Sequence, residues 1–266
     1  MEIYRQALEI AKSRNIRQLS NEELSKQRCE ELNKVKGNLN ESDGYNCTEC
    51  LNRGYIHIPT QYGTETSVSC SKCAKIRNTL RLLNDSGIIQ YRFEDFAVEC
   101  EWEKVLLDTV LSFTVHGGDK WLFVGGQSGA GKTHLCSAAL INLVHRQQKE
   151  AMLFAWIEKS KKLKRFSDDD NNEREIEAFK TVPLLYIDDL FKTRGSTGIT
   201  EADINLALDI IDYRYRNNLT TIISTEMSID EIISISEALG GRIKQKSKEY
   251  TVYISKDIRK NKRLRD

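Results

Sequence analysis

Proline is nearly absent, with only Pro59 and Pro183 in 266 residues, which argues against a proline-rich linker. Net charge is nearly absent too. The chain has 40 Lys and Arg against 39 Asp and Glu, and its total of +1 predicts no polyanionic partner. No apolar run approaches the ~18 residues that span a bilayer. The opening Met1-Glu2-Ile3-Tyr4-Arg5 has no signal-peptide character. These absences exclude a membrane protein, disfavour a secreted one and lead to the expectation of a cytoplasmic location. What is present, 39% hydrophobic and 30% charged residues, implies a packed core under a solvated surface. The length allows one domain of ~150–200 residues with a small module appended.

Charge is placed unevenly. Residues 242–266 carry ten Lys and Arg against Glu249, Asp257 and Asp266, a local net of +7, and the rest of the chain is near −6. Such an end is either a solubilising tail or a phosphate-contacting edge whose binding weakens with salt through counterion release.

Seven cysteines, an odd number, are not spread as a disulfide framework. Cys29, Cys100 and Cys136 stand singly and read as packing thiols. The other four form two Cys-x-x-Cys knuckles, Cys47/Cys50 and Cys70/Cys73, with nineteen residues between them. Zinc is borderline-soft and takes four tetrahedral ligands, so two knuckles brought together by a hairpin suit one structural Zn²⁺. His57, between the knuckles, is the alternative donor for one position. A module of roughly thirty residues buries too little to fold unaided, and the metal supplies the missing free energy.

Residues 1–43 read as a helical docking region. Ile3, Tyr4, Ala7, Leu8 and Ala11 share one helical face, and a second helix opens at the capping box Ser20-Asn21-Glu22-Glu23, with Gly37 as its stop. Residues 44–76 form the zinc-ribbon module, with Tyr55–Ile58 and Thr66–Ser69 as strands around Gly63. A linker covers 77–90, and a larger domain covers 91–266. There the buried-type runs Trp121–Val124, Met152–Trp156, Leu184–Ile187, Thr221–Ser224 and Tyr250–Ile254 alternate with helical patterns, which predicts an α/β fold with a mostly parallel sheet. The patch Asp168-Asp169-Asp170-Asn171-Asn172 reads as a loop.

After the first of these strands and Gly125 comes Gly126-Gln127-Ser128-Gly129-Ala130-Gly131-Lys132-Thr133, then His134 and a helix with Leu135, Ala139, Leu140 and Leu143. This is a strand, a G-x-x-x-x-G-K-T loop and a helix. Its glycines let consecutive N–H groups face phosphates at the positive end of the helix. Lys132 reaches the β- and γ-phosphates, and Thr133 presents its hydroxyl to Mg²⁺. Leu184-Leu185-Tyr186-Ile187-Asp188-Asp189 reads as the matching acidic strand end, Asp188 holding Mg²⁺ and Asp189 polarising the attacking water. Asp at that last position, one methylene shorter than Glu, fits slow or partner-gated hydrolysis. A strand intervenes between loop and acidic pair, which indicates an additional-strand P-loop ATPase. In that class Thr225 is the candidate γ-phosphate sensor, although Ser228-Ile229-Asp230-Glu231 makes helix capping an equal use for polar residues nearby. Arg242, in Gly240-Gly241-Arg242-Ile243 after a helix ending near Leu239, is either a residue that reaches a neighbouring subunit's nucleotide or a surface arginine.

Together these motifs resemble the phage-type DnaC/DnaI replicative helicase loaders, within the AAA+ ATPases. The resemblance runs from Tyr91-Arg92-Phe93 through the phosphate loop, the acidic strand and Leu239–Ile243 to the C-terminus, and a zinc module before such an ATPase is similar to the DnaI branch. It implies ATP, Mg²⁺ and Zn²⁺ as cofactors, Phe93 near the adenine, Arg242 as arginine finger and Arg259 as second sensor. Its implied partners are a hexameric replicative helicase gripped by the N-terminal region, single-stranded DNA, and further copies in a ring or spiral. Lys159, Lys161, Lys162, Lys164 and Arg165 are then DNA-contact candidates, with Phe166 available to stack on a base, or else a solvated helix face. A transposition helper ATPase of the IstB type shares the same core, and an adaptor that binds ATP without hydrolysing it is the third reading.

Overall fold

The helix boundaries follow from local chemistry. The computed structural model describes residue 5 and residues 19–39, 46–165, 170–193 and 198–264. The first amphipathic helix, Phe166 and Asp168–Asp169 lie outside these residues. Two compact units emerge, Met1–Ala74 and Lys75–Asp266.

In the first unit, α1 (Asn21–Lys34) begins as expected. The Ser20 hydroxyl accepts from the Glu23 N–H at 3.2 Å, and the Glu23 carboxylate accepts from the Ser20 N–H at 2.8 Å. It stops at Lys34, three residues before Gly37. Gly37 instead donates to the Leu51 carbonyl at 2.8 Å, where a Cβ would meet the Asn52 oxygen at 2.5 Å. Close backbone approach explains this glycine, and helix termination does not. The strands β1 (Tyr55–Pro59) and β2 (Glu65–Ser69) pair antiparallel from Tyr55↔Ser69 to Pro59↔Glu65. The helix docks on this hairpin by polar pairing. The Asn33 amide donates to the His57 carbonyl at 2.8 Å and accepts from the His57 N–H at 2.9 Å, so one side chain completes a strand edge.

The helix α2 (Ser71–Asp85) opens in the first unit and continues through the segment expected to be a linker, burying Ile76, Leu80 and Leu83. The second unit then adds α3 (Glu101–His116), β3 (Trp121–Gly126), α4 (Lys132–Gln147), β4 (Ala151–Ala155), α5 (Trp156–Arg165), α6 (Asp170–Thr181) and β5 (Leu184–Asp188). It closes with α7 (Glu201–Arg216), β6 (Thr220–Ser224), α8 (Ile229–Ile235), α9 (Glu237–Ser247), β7 (Thr251–Ile254) and two single-turn helices, Ile258–Lys260 and Lys262–Leu264. Asp170-Asn171-Asn172, expected in a loop, form the first turn of α6, where the Asp170 carboxylate suits the helix dipole.

All five strands of the larger sheet are parallel, in the order β4-β5-β6-β3-β7. The strand β6 lies between the phosphate-loop strand β3 and the acidic strand β5, the additional-strand arrangement of AAA+ ATPases. One face packs Trp121, Phe123, Phe154, Trp156, Phe179 and Ile223 into a continuous core. Each such side chain contributes roughly 1.5–3 kcal/mol on burial.

Arg214 is fully buried within that core, and among the described residues it forms no ion pair. Its guanidinium donates to the carbonyls of Phe179, Lys180, Val182 and Thr220 at 2.7–3.2 Å and to the Thr221 hydroxyl at 2.9 Å. It therefore caps the C-terminal end of α6, where the helix dipole favours a cation. Burial lowers its affinity for the proton, to about 9.

The glycines Gly240 and Gly241 do not end a helix, because α9 runs through them. A Cβ on Gly240 would lie 2.5 Å from Ile233 Cγ1, so glycine permits α8 and α9 to pack closely. Among the described residues no helix is long and apolar enough to cross a membrane.

Candidate functional site

The phosphate loop is held open by its glycines. Gly126, Gly129 and Gly131 have φ of +105°, +73° and +88°, and a Cβ on the first two would lie 1.9 Å from the Ile254 carbonyl and the Asn261 side chain. The loop is strapped to the chain's last described segment. Gln127 N–H donates to Ile254 O at 2.9 Å, Asp257 N–H to Gln127 Oε1 at 2.8 Å, and Lys262 N–H to Gly129 O at 3.0 Å.

Lys132 is buried, and its ammonium donates to the carbonyls of Gly126 and Gln127 at 2.8 and 2.7 Å. Burial lowers its pKa, while Asp189 and Glu226 favour the charge. The loop opens on a cleft of about 330 Å³ lined by Ser128, Gly129, Gly131, Lys132, Thr133 and His134. Asp95, Asp189, Lys192, Lys262 and Arg263 add its charged wall, and Tyr91 and Phe96 its aromatic one. The His134 ring sits 5.0 Å from Tyr91 and 5.6 Å from Phe96, and its Nε2 is 2.6 Å from the Arg92 carbonyl.

At the end of β5, one oxygen of Asp188 collects three hydroxyls. Thr133 donates at 3.1 Å and Ser224 at 2.6 Å, with Tyr186 on the same atom. Thr133 and Asp188, the expected Mg²⁺ ligands, are thus adjacent. A hydroxyl and a carboxylate at the mouth of a phosphate loop can hold a hard divalent cation. Burial drives the proton affinity of Tyr186 well above normal, which keeps it a donor. Cys136 lies beneath, fully buried and raised for the same reason, consistent with a packing thiol.

The remaining expected residues are placed differently. Asp189 borders the cleft but is paired with Lys192 at 3.0 Å. Thr225 is completely buried, with its hydroxyl given to Leu190 O at 2.7 Å and approached by Met227 N–H at 3.2 Å. Among the described residues that line the cleft, Phe93, Arg242 and Arg259 do not figure. Arg242 bonds Asp212 at 2.9 Å and the Ala238 carbonyl at 2.7 Å, under the Tyr215 ring. The Arg259 side chain is 87% exposed and chelates Asp257 at 2.8 Å. Of the basic run, Lys159 and Lys162 both pair with Glu175, and Lys164 pairs with Asp203.

Sequence reasoning missed Tyr91, Phe96, Lys192, Lys262 and Arg263. The +7 terminal segment was the signal for the last two, since it returns onto the phosphate loop.

In the first unit the Sγ atoms of Cys47, Cys50 and Cys73 are buried and all lie within 4.8 Å of one another. Cys70 Sγ is 3.8 Å from Cys47 Sγ. Tetrahedral bonds of ~2.3 Å separate paired sulfurs by about 3.8 Å, so this edge already suits zinc. Gly54 N–H donates to Cys50 Sγ at 3.3 Å and Cys73 N–H to Cys70 Sγ at 3.4 Å, the kind of bond that favours thiolates. Burial nevertheless pushes Cys70 up to about 12, so a shared cation is what would ionise the set. His57 is outside this group, its Nδ1 3.1 Å from Ser67 Oγ.

Residues 75–238 match the family described as IstB-like ATP binding protein. Among Bacillus subtilis (strain 168) proteins, XkdC of the phage-like element PBSX is 31% identical over 80% of this chain and 85% of its own length. YqaM is 40% identical over 53% of this chain and 45% of its own, and the replicative helicase loader DnaI is 26% identical over 47% and 39%. The chain therefore spans less than half the length of these last two relatives. The crystal structure of the DnaC helicase loader superposes with a TM-score of 0.53 at 23% identity, covering 64% of this chain and 99% of that one, which shows the shared fold.

Proposed function

The chain belongs to the IstB-like ATP-binding proteins, and from that membership we propose that it is a Mg-ATP-dependent loader of a hexameric replicative helicase onto single-stranded DNA. The observation that carries the nucleotide part is the complete phosphate loop with Lys132 buried at its centre and Thr133 touching Asp188. Mg²⁺ held there would neutralise the β- and γ-phosphates during transfer to water. In the same reading Asp189 orients that water, and hydrolysis is slow until a partner completes the site. Arg242 acts in trans as the arginine finger and exchanges Asp212 for a neighbour's phosphate. Thr225 then serves through the backbone it fixes at the end of β6, since its hydroxyl is spent.

Support for the helicase as partner comes from the DnaI relationship and from the fold shared with DnaC. The N-terminal region would grip the helicase, with a structural Zn²⁺ on Cys47, Cys50, Cys70 and Cys73 holding that unit together. Single-stranded DNA would have to draw on cations that already have partners in either basic segment: Lys159, Lys162 and Lys164 on α5 pair with Glu175 and Asp203, and Arg242, Lys246, Lys256, Arg259 and Lys262 pair with Asp212, Asp119, Glu231, Asp257 and Glu103. The decisive experiment is capture of the host replicative helicase by this protein with ATP, ADP or no nucleotide. Nucleotide-dependent capture supports the loader. Binding to duplex DNA and a transposase without helicase capture supports the IstB-type helper, the reading that the family match itself favours as second.

A further inference from the structure

Lys192 is a cation at the cleft that the Mg-ATP reading leaves without a task. Its ammonium bridges Asp189 Oδ2 and Glu226 Oε1, each at 3.0 Å, and it lines the same cleft as Lys132. The position is built by the fold. Asp189 and Phe191 both adopt left-handed backbone, φ +56° and +64°, which non-glycine residues take only under constraint. The constraint is visible. Asp189 N–H donates to Ser224 Oγ at 3.0 Å, Leu190 N–H to Ser224 O at 2.8 Å, and the buried Phe191 ring packs edge-on against Trp156 at 5.3 Å. Lys192 is thereby aimed back over the carboxylate three residues before it.

Lys132, Lys192, Asp189 and Glu226 form one interacting charged group at this end of the cleft, whose lining also carries Lys262, Arg263 and Asp95. Burial disfavours the charge on Lys192, yet its bonds to Glu226 and Asp189 hold its pKa above normal. Burial likewise opposes ionisation of Glu226, but Lys192 and the Ser128 hydroxyl keep its carboxyl below the usual range. A triphosphate brings several negative charges to this group and competes with Asp189 and Glu226 for the Lys192 ammonium. A diphosphate stops one phosphoryl group short.

We propose that Lys192 is a γ-phosphate latch. Without a terminal phosphate it ties up Asp189 and Glu226. With ATP bound it moves its ammonium to the γ-phosphate and frees Asp189 to orient water. The inference rests on the Mg-ATP reading of the site, and it makes Lys192 a residue that adds to the preference for ATP over ADP, because only ATP gains its contact.

The test is titration of the full-length protein, with Mg²⁺ present, by ADP and by a non-hydrolysable ATP analogue. In Lys192→Met the preference for the analogue should fall about tenfold, the size of one charge-assisted contact. In Glu226→Gln, which removes a competitor for the ammonium, that preference should rise. If the ratio stays within about twofold of wild type in both variants while wild type binds both nucleotides, the latch is overturned and the Mg-ATP site stands. A fall in Glu226→Gln also overturns it, and this variant decides the matter if Lys192→Met does not fold. A wild-type protein that binds neither nucleotide overturns the site reading and the latch together.

Discussion

The two units solve the problem of stability in opposite ways. In the hairpin unit the side chains of β2 are exposed along nearly its whole length, and its buried side chains among the described residues are the five cysteines and Ser25. In the second unit β3 is buried at every position and aromatic rings meet edge-on across the core. A small body with few apolar contacts depends on sulfur and metal chemistry, whereas a larger one can rely on area. The difference also assigns vulnerability: chelators and oxidants should attack one unit, and core substitutions the other.

The sharpest way to break this contrast is to remove the zinc proposed for the first unit. Chelation, or Cys50→Ser, should melt the first unit and leave nucleotide binding intact, read as loss of one calorimetric transition together with about one zinc per chain. Structural zinc contributes ~10–16 kcal/mol in small domains, so this is the largest effect expected. A preparation without metal that keeps both transitions would equate the two units.

For the second unit the counterpart is Arg214→Met. It removes five hydrogen bonds and leaves four carbonyls without this donor, and it should cost about 3–5 kcal/mol in chemical denaturation without changing zinc content. At the site, Lys132→Ala should abolish Mg-ATP binding by calorimetry while the melting temperature changes little. Mixed with Arg242→Ala, it should recover part of the hydrolysis if the finger works in trans, whereas each variant alone is inactive.

The smallest effect concerns Asp203, which caps α7 and pairs with Lys164. Burial opposes its charge, but Lys164 and Thr200 hold its carboxyl below the usual range. A depressed carboxylate pKa adds stability above the unfolded value and loses it as pH falls through the folded one. Asp203→Asn should therefore cost about 1 kcal/mol at neutral pH and converge on wild type in acid, below the ordinary aspartate range.

Much of this was legible because the signals are local. The Ser20 and Ser228 caps, the G-x-x-x-x-G-K-T loop and the alternation of strand and helix depend on neighbours within a few residues, and each sits where its pattern indicated. Misreadings occurred where one residue type serves two purposes. Gly37 and Gly240 look like helix stops in sequence, since a glycine that admits a neighbouring element looks the same there as one that ends a helix. Lysines of α5 looked available because their partners Glu175 and Asp203 lie on other helices.

The amino-acid sequence by itself determined the phosphate loop, its acidic partner strand, the paired cysteine knuckles and the additional-strand class, since each is set by spacing along one segment. Only the tertiary structure decided which charges share the nucleotide cleft. Lys192, Lys262 and Arg263 reach it from two segments far apart in the chain, while Arg259, four residues before Arg263, turns outward to Asp257. The physical reason is that electrostatic neighbours are chosen by how strands order in a sheet and where the chain returns, and no local pattern encodes either.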